Sequence, residues 1–183
     1  MESYIYLLTL LPLIGFLING IVGKKIGNEK LIGTISCLAV FVPFVIAVST
    51  LLELISMPPD SRSIFIKYYE WITAGSFTAS VSYLVDPLSI TMVLIVTGVG
   101  TLIHIYSIGY MHGDPGFAKF FAYLNLFIFA MLNLVLADNF LLIFLGWEGV
   151  GLCSYFLIGF WYQQKFTGDA AKKAFIVNRI GDF

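Results

Sequence analysis

The segment Phe140–Tyr162 has the sequence FLLIFLGWEGVGLCSYFLIGFWY, an almost unbroken run of apolar and small residues. At about 1.5 Å of rise per residue, such a run can cross the roughly 30 Å hydrocarbon core of a bilayer as one helix. A single acidic residue, Glu148, lies near its middle. The segment therefore predicts a transmembrane helix that carries an ionisable group at mid-membrane.

The remainder of the 183 residues has the same character, because 59% of the chain is hydrophobic and only 11% is charged. Soluble domains average about 25% charged residues, so the composition excludes a soluble enzyme, a disordered chain and a nucleic-acid-binding protein. Further apolar runs predict helices at Tyr4–Val22, Leu31–Ile55, Leu88–Tyr110 and Phe120–Ala137. A sixth helix is predicted from Asp169 to Phe183, and we expect the sequence to stop within it.

One long loop is predicted to form an outer β-hairpin. Its two runs, Ile64–Trp71 and Phe77–Tyr83, are rich in β-branched and aromatic residues, and Gly75 lies between them. Asp86 and Pro87 form the capping pair expected at the start of the third helix. The predicted fold is an all-α polytopic membrane protein with about six transmembrane helices and a small outer hairpin.

Basic residues predict the orientation of the helices. With the N-terminus outside, the outer loops hold only Arg62 and Lys67. The inner segments hold seven lysines: Lys24, Lys25, Lys30, Lys119, Lys165, Lys172 and Lys173. Inner loops of membrane proteins are enriched in Lys and Arg, so the N-terminus is predicted to lie outside.

The sequence offers few ligands for a cofactor. Its two cysteines, Cys37 and Cys153, lie in apolar runs, and no CxxC motif, catalytic triad, phosphate-binding loop or metal-ligand spacing is present. We therefore expect no cofactor and no metal in this chain.

Glu148 has two interpretations. A charge at the bilayer centre costs about 2.5 kcal/mol or more, so the carboxyl must face protein or water, be paired, or be protonated. As a functional group it would be a proton station, because burial favours the neutral carboxyl and a nearby lysine favours the ionised form. As a structural group it would be a static acid that bonds a neighbouring helix.

Other charged residues are candidates for the same pathway. Arg179 and Asp182 are three residues apart, hence neighbours on one helix face, and form either a structural ion pair or a tuning group. Lys172 and Lys173 lie near the inner end of that helix. His104, inside the third helix, is either a hydrogen-bonded core residue or a proton relay.

Four segments together resemble a known family. They are FLGWEGVGLCSYFLIGFW (144–161), KAFIVNRIGD (173–182), YLVDPLS (83–89) and GVGTLIHIY (98–106). They resemble the chain 5, or L, subunit of respiratory complex I, the NADH:quinone oxidoreductase, and specifically the N-terminal part of that antiporter-like subunit of the membrane arm. The resemblance extends over essentially the whole chain.

The resemblance implies a role for each candidate residue. Glu148 would belong to an inner proton half-channel and pair with a lysine on a later helix, while Arg179, Asp182 and His104 would support it. Other subunits would bind NADH, quinone, flavin and iron–sulfur clusters, so this chain would belong to an enzyme without performing redox chemistry. The expected divisions are 1–60 (two helices), 61–116 (chain 5 N-terminal region) and 117–183 (start of the proton-translocating antiporter-like module).

Three functions therefore remain open. The first is a proton-translocating complex I subunit, whose partners are the other membrane-arm subunits and the lipid bilayer. The second is a subunit of a sodium/proton antiporter complex with the same fold, and the third is a structural membrane scaffold. The expected location is a bacterial inner membrane rather than the mitochondrial one.

Overall fold

The computed structural model describes residues 2–182, apart from the side chains of Glu2, Ser3 and Asp60. The elements, in chain order, are α1 (Glu2–Leu17), a π-helical turn (Ile18–Val22), α2 (Gly23–Ile26), α3 (Glu29–Ser56), a 3-10 turn (Pro59–Ser61), β1 (Ile64–Ala74), β2 (Phe77–Val85), α4 (Pro87–Tyr110), α5 (Phe117–Leu136), α6 (Phe140–Ile158) and α7 (Lys165–Asp182). The predicted order of helices and hairpin is confirmed.

Within the described residues, five helical segments are long and apolar enough to cross a membrane. The first joins α1, the π-helical turn and α2 into one continuous span. The segments are Tyr4–Ile26, Glu29–Ser56, Pro87–Tyr110, Phe117–Leu136 and Phe140–Ile158. The chain is therefore a polytopic helical membrane protein, as predicted.

The sixth predicted helix, α7, is present but differs from the other five. It begins at Lys165 instead of Asp169, and it is less apolar than the five spans given above. Charged residues lie along its surface, and Thr167 and Ala171 are its buried residues. The predicted end of the helix, Phe183, lies outside the described residues.

Polar caps fix where the apolar helices begin. The Asp86 carboxylate accepts a hydrogen bond from the Ser89 backbone N–H at 2.7 Å, while Ser89 Oγ accepts one from the Asp86 N–H at 2.8 Å. Pro87 occupies the first helical position, where its missing N–H costs nothing. Asn139 caps α6 in a similar way by accepting from the Leu142 N–H at 3.1 Å. The predicted helix starts follow from this chemistry.

Helices α5 and α6 pack antiparallel at very close range. A Cβ added at Gly146 would lie 2.6 Å from the backbone nitrogen of Leu134, and one added at Gly149 would lie 3.0 Å from Ala130 Cβ. The partner number falls as the α6 number rises, which is the signature of antiparallel helices. In lipid no hydrophobic force drives helices together, so they associate through close packing, and small residues allow this approach.

A buried tyrosine, Tyr83, helps to attach the hairpin to the helices. Strands β1 and β2 pair antiparallel from Ile64 opposite Val85 to Ala74 opposite Phe77, and Gly75 makes the turn with φ +60°. The Tyr83 hydroxyl lies 2.6 Å from Asn133 Oδ1 on α5 and 3.2 Å from Thr9 Oγ1 on α1. Burial raises the pKa of Tyr83 above its ordinary value of 10.

We predict that Gly146→Leu will separate α5 from α6, because its side chain has no room against the Leu134 backbone. The loss of stability should be about 1–3 kcal/mol, as for other overpacked sites. Thermal unfolding of the full-length subunit in detergent would measure it. Gly109→Leu is the matched control, since a Cβ at Gly109 meets no atom within 4 Å. Equal midpoints of thermal unfolding for Gly146→Leu and Gly109→Leu would contradict the close packing of α5 against α6.

We predict that Tyr83→Phe will loosen the hairpin, because it leaves the buried Asn133 Oδ1 without this donor. An unpaired buried acceptor costs about 1–3 kcal/mol. In the native protein burial raises the pKa of Tyr83, so the contribution of its hydroxyl to docking is fully present below pH 10. That contribution is lost as the pH rises through the pKa of Tyr83 in the folded protein. Protease cleavage at the hairpin as a function of pH measures both effects. A cleavage profile of Tyr83→Phe identical to the native one would refute them.

Candidate functional site

Glu148 projects from the middle of α6 and forms an ion pair with Arg179 of α7. About a quarter of each side chain is exposed, 24% for Glu148 and 28% for Arg179. The two groups line a cavity of about 520 Å³ together with Phe144 and Asp182. The structure thus places an acid and a base from different helices at one cavity, on a segment that can cross a membrane.

The absence of a side chain at Gly151 makes room for the guanidinium. A Cβ at Gly151 would lie 2.7 Å from Arg179 Nη2, so any larger residue would displace the arginine. Arg179 also lies over the ring of Phe175, with 4.7 Å between Cζ and the ring centroid. The Arg179 Nε is buried and has no hydrogen-bond partner among the described residues. The guanidinium is thus held between Gly151, Phe175 and Glu148.

Asp182 does not pair with Arg179, although their spacing predicts an ion pair within α7. Its Oδ1 instead accepts a hydrogen bond from the Trp147 indole at 2.7 Å. Trp147 and Glu148 are adjacent on α6, so each binds a different residue of α7. Intrahelical spacing identifies neighbours on α7, but the contacts between helices decide which groups pair.

Lys172 and Lys173 do not join the Glu148 site. Both are exposed, and they lie about 10 Å from Arg179 along α7, given the helical rise. Lys172 lines a separate cavity with Lys119 and Tyr155. The described residues therefore give Glu148 an arginine as its counter-charge.

His104 belongs to a second cluster inside the helix bundle. Its side chain is 1% exposed, its Nδ1 lies 2.7 Å from the Gly100 carbonyl, and its Nε2 lies 3.3 Å from Asn125 Nδ2. Asn19 and Ser36 complete this cluster. Sequence reasoning missed both asparagines, although an amide within each apolar run was a visible signal. Among the described residues, no group of three His, Cys, Asp or Glu side chains is arranged to hold a metal ion.

Comparison with known proteins first defines the class. A family model described as "NADH:quinone oxidoreductase/Mrp antiporter, TM" matches residues 137–183. A chain of the membrane-bound sulfane sulfur reductase, an archaeal respiratory membrane complex, superposes with a TM-score of 0.79 at 18% identity. That match covers 99% of this chain and 35% of the other, and it shows the fold alone. The chain is therefore similar in fold, and over residues 137–183 in sequence, to antiporter-like membrane subunits.

Sequence relatives make the assignment more specific. A second family model, "NADH-Ubiquinone oxidoreductase (complex I), chain 5 N-terminus", matches residues 71–121. NADH-quinone oxidoreductase subunit L of Mycobacterium tuberculosis is 44% identical over 98% of this chain. NADH-ubiquinone oxidoreductase chain 5 of Chondrus crispus is 46% identical over 97% of it. The chain belongs to the chain 5, or subunit L, family. It spans little more than a quarter of these relatives, 28% and 26%.

We predict that the two partners of the Glu148–Arg179 pair are energetically coupled. Glu148→Gln or Arg179→Gln alone leaves a partly buried charge without its partner, whereas the double change removes both charges. The coupling energy should be about 1–3 kcal/mol, measured by thermal unfolding of the four variants in a double-mutant cycle. Lys173→Gln in place of Arg179→Gln is the control, because Lys173 is exposed. Additive effects for Glu148 and Arg179 would show that the pair contributes nothing to stability.

Proposed function

We propose that this chain supplies the first helices of a proton-translocating membrane subunit of NADH:quinone oxidoreductase. The observation that carries the proposal is the Glu148–Arg179 pair, which lies at a cavity on a membrane-spanning helix. Intramembrane ionisable residues are expensive to maintain, and they commonly mark ion or proton pathways. The names of the relatives support membership of this enzyme complex.

The pair has the chemistry of a switchable proton site. Burial favours the neutral form of a carboxyl, and an adjacent cation favours the ionised form. Glu148 would therefore release its proton when the guanidinium of Arg179 approaches, and would take one up when Arg179 moves away. Asp182 would assist, because its carboxylate lines the same cavity and offers Arg179 a second anionic partner.

The rest of the pathway would extend beyond these two helices. In this proposal a lysine on a later helix completes the inner half-channel, and the exposed Lys172 and Lys173 lie near its inner entrance. Other subunits would bind NADH, quinone, flavin and iron–sulfur clusters, and this chain would bind no cofactor. The protein would lie in a bacterial inner membrane with its N-terminus outside, in accord with its lysine-rich inner segments.

A second candidate function is a sodium/proton antiporter subunit, because one matching family model is described for both NADH:quinone oxidoreductase and Mrp antiporters. The two functions differ in their driving force. A complex I subunit moves protons when NADH is oxidised, whereas an antiporter subunit moves protons only in exchange for sodium. Replacing sodium by choline in the assay separates them, because only antiport activity would be lost.

The decisive experiment introduces Glu148→Gln into the full-length subunit within the assembled complex. NADH-driven acidification of inverted membrane vesicles and NADH oxidation are measured together. We expect proton uptake per NADH to fall to about half or less, because glutamine accepts no proton while keeping the carboxyl's shape. Glu70→Gln is the matched control, since Glu70 lies on the exposed hairpin and pairs only with Lys67 among the described residues.

The alternative outcome is equally informative. If Glu148→Gln pumps and oxidises as the native complex does, Glu148 is a structural group. The chain would then be a scaffold in this part of the membrane arm, with its charges serving only to hold helices together.

A further inference from the structure

A polar cluster lies in the interior of the bundle, where α3, α4 and α5 meet the π-helical turn that follows α1. Asn19 Nδ2 donates to Ser36 Oγ at 2.6 Å and lies 3.5 Å from Asn125 Oδ1. Asn125 Nδ2 in turn lies 3.3 Å from both the Ser36 carbonyl and His104 Nε2. These hydrogen bonds connect Asn19 to the imidazole of His104 without a gap.

One atom of this cluster has no partner. Asn19 is 1% exposed, and its Oδ1 accepts no hydrogen bond from any described residue. A buried carbonyl oxygen of this kind is normally satisfied by an ordered water. Asn19 also lies in the π-helical turn Ile18–Val22, and such turns occur frequently at functional positions in membrane and soluble helices. The unpartnered oxygen indicates where water enters the cluster.

A cleft provides the route for that water. A cavity of about 480 Å³ lies between the end of the first span and the start of α5, and Asn19 forms part of its wall. Lys24 and Lys119, both exposed and both predicted to lie at the inner side, line the same cavity. A water molecule occupies about 30 Å³, so the cleft has room for a chain of them. Polar groups thus extend from the lysines at the surface to His104.

His104 is the only side chain of this cluster with a ring nitrogen that can accept a proton. Its Nδ1–H donates to the Gly100 carbonyl, which leaves the Nε2 lone pair facing Asn125. Protonation of Nε2 requires the Asn125 amide to turn its oxygen towards the ring. The ionisable groups near this route in the described chain are Lys24, Lys119 and Tyr123 at the cleft and the half-buried Cys37 beside Ser36. No carboxylate lines the described cleft or cluster, so an added proton has no fixed counter-charge and remains transferable.

We propose that Asn19, Ser36, Asn125 and His104 form a second proton-accepting site, hydrated from the inner face through the cleft between the first span and α5. The site is separate from Glu148 and Arg179, which share none of these contacts. It rests on the proposed proton-translocating function and adds to it an entry route and four residues.

Hydration of the cleft can be tested without measuring transport. In a Cys37→Ala, Cys153→Ala background of the full-length subunit, Gly20→Cys places a thiol on the cleft wall, where a Cβ meets only ordinary contacts at 3.9 Å. A membrane-impermeant maleimide added to inverted vesicles is the probe. We expect it to react at least about tenfold faster than with Leu38→Cys, because a thiol in apolar surroundings ionises poorly. Leu38 is the matched control, 52% exposed on the outer surface of α3.

The role of His104 is tested by His104→Gln in the assembled complex. Glutamine can donate to Gly100 and accept from Asn125 as the neutral ring does, but it cannot carry a second proton. We expect proton uptake per NADH to fall about twofold or more, because glutamine offers no basic nitrogen to the Asn125 amide. Thr97→Val is the control, a buried polar residue of α4 that bonds only its own helix.

The outcomes separate this inference from the proposed function. Slow labelling of Gly20→Cys, equal to Leu38→Cys, or native pumping by His104→Gln overturns the second site, while a defect in Glu148→Gln preserves the function. If Glu148→Gln also pumps normally, the proposed function itself fails. Rapid labelling together with loss of pumping in His104→Gln supports the second site.

Discussion

Helix α6 carries glycine where it closely approaches α5 and α7. The arrangement of these helices depends on the absence of side chains at those positions. On one side Gly146 and Gly149 bring α6 against the backbone of α5, and on the other Gly151 leaves space for the guanidinium of Arg179. In lipid, no hydrophobic force drives helices together, so such van der Waals contact must hold them. The same glycines therefore fix the helix and position its one acidic residue beside a base.

Helix α5 separates the two polar sites of the bundle. Ala130 and Leu134 on α5 meet the glycines of α6, while Asn125 on α5 binds the cluster formed with the first, third and fourth helices. Each site has its own hydrogen bonds and its own cavity. Helix α5 therefore links the two sites directly, because it packs against α6 and also supplies Asn125 to the cluster.

Local chemistry made much of this fold predictable. Asp86 with Pro87 marked the start of α4, the β-branched runs marked the hairpin, and Glu148 was identified by its cost in an apolar run. Contacts between helices were not predictable, because spacing along one helix contains no information about its neighbour. Arg179 accordingly pairs with Glu148 instead of Asp182.

The buried amides were missed for a related reason. An asparagine is easily seen in an apolar run, but the run does not show whether that residue packs alone or belongs to a network. Asn19 becomes distinctive only once Ser36 and Asn125 are placed around it. Helix α7 was predicted as a sixth membrane helix in spite of its charged residues. The helix is present, but its charges distinguish it from the five apolar spans.

The attachment of the hairpin imposes an order on biogenesis. Tyr83 bonds to α5 at Asn133, and Asn139, which begins α6, donates to the Ser80 carbonyl at 2.8 Å. Asn133 is synthesised 50 residues after Tyr83, and Asn139 is synthesised 59 residues after Ser80. The strands must therefore remain undocked until the ribosome has delivered α4, α5 and the start of α6. Docking of the hairpin thus reports that α5 and α6 have been inserted with the correct topology.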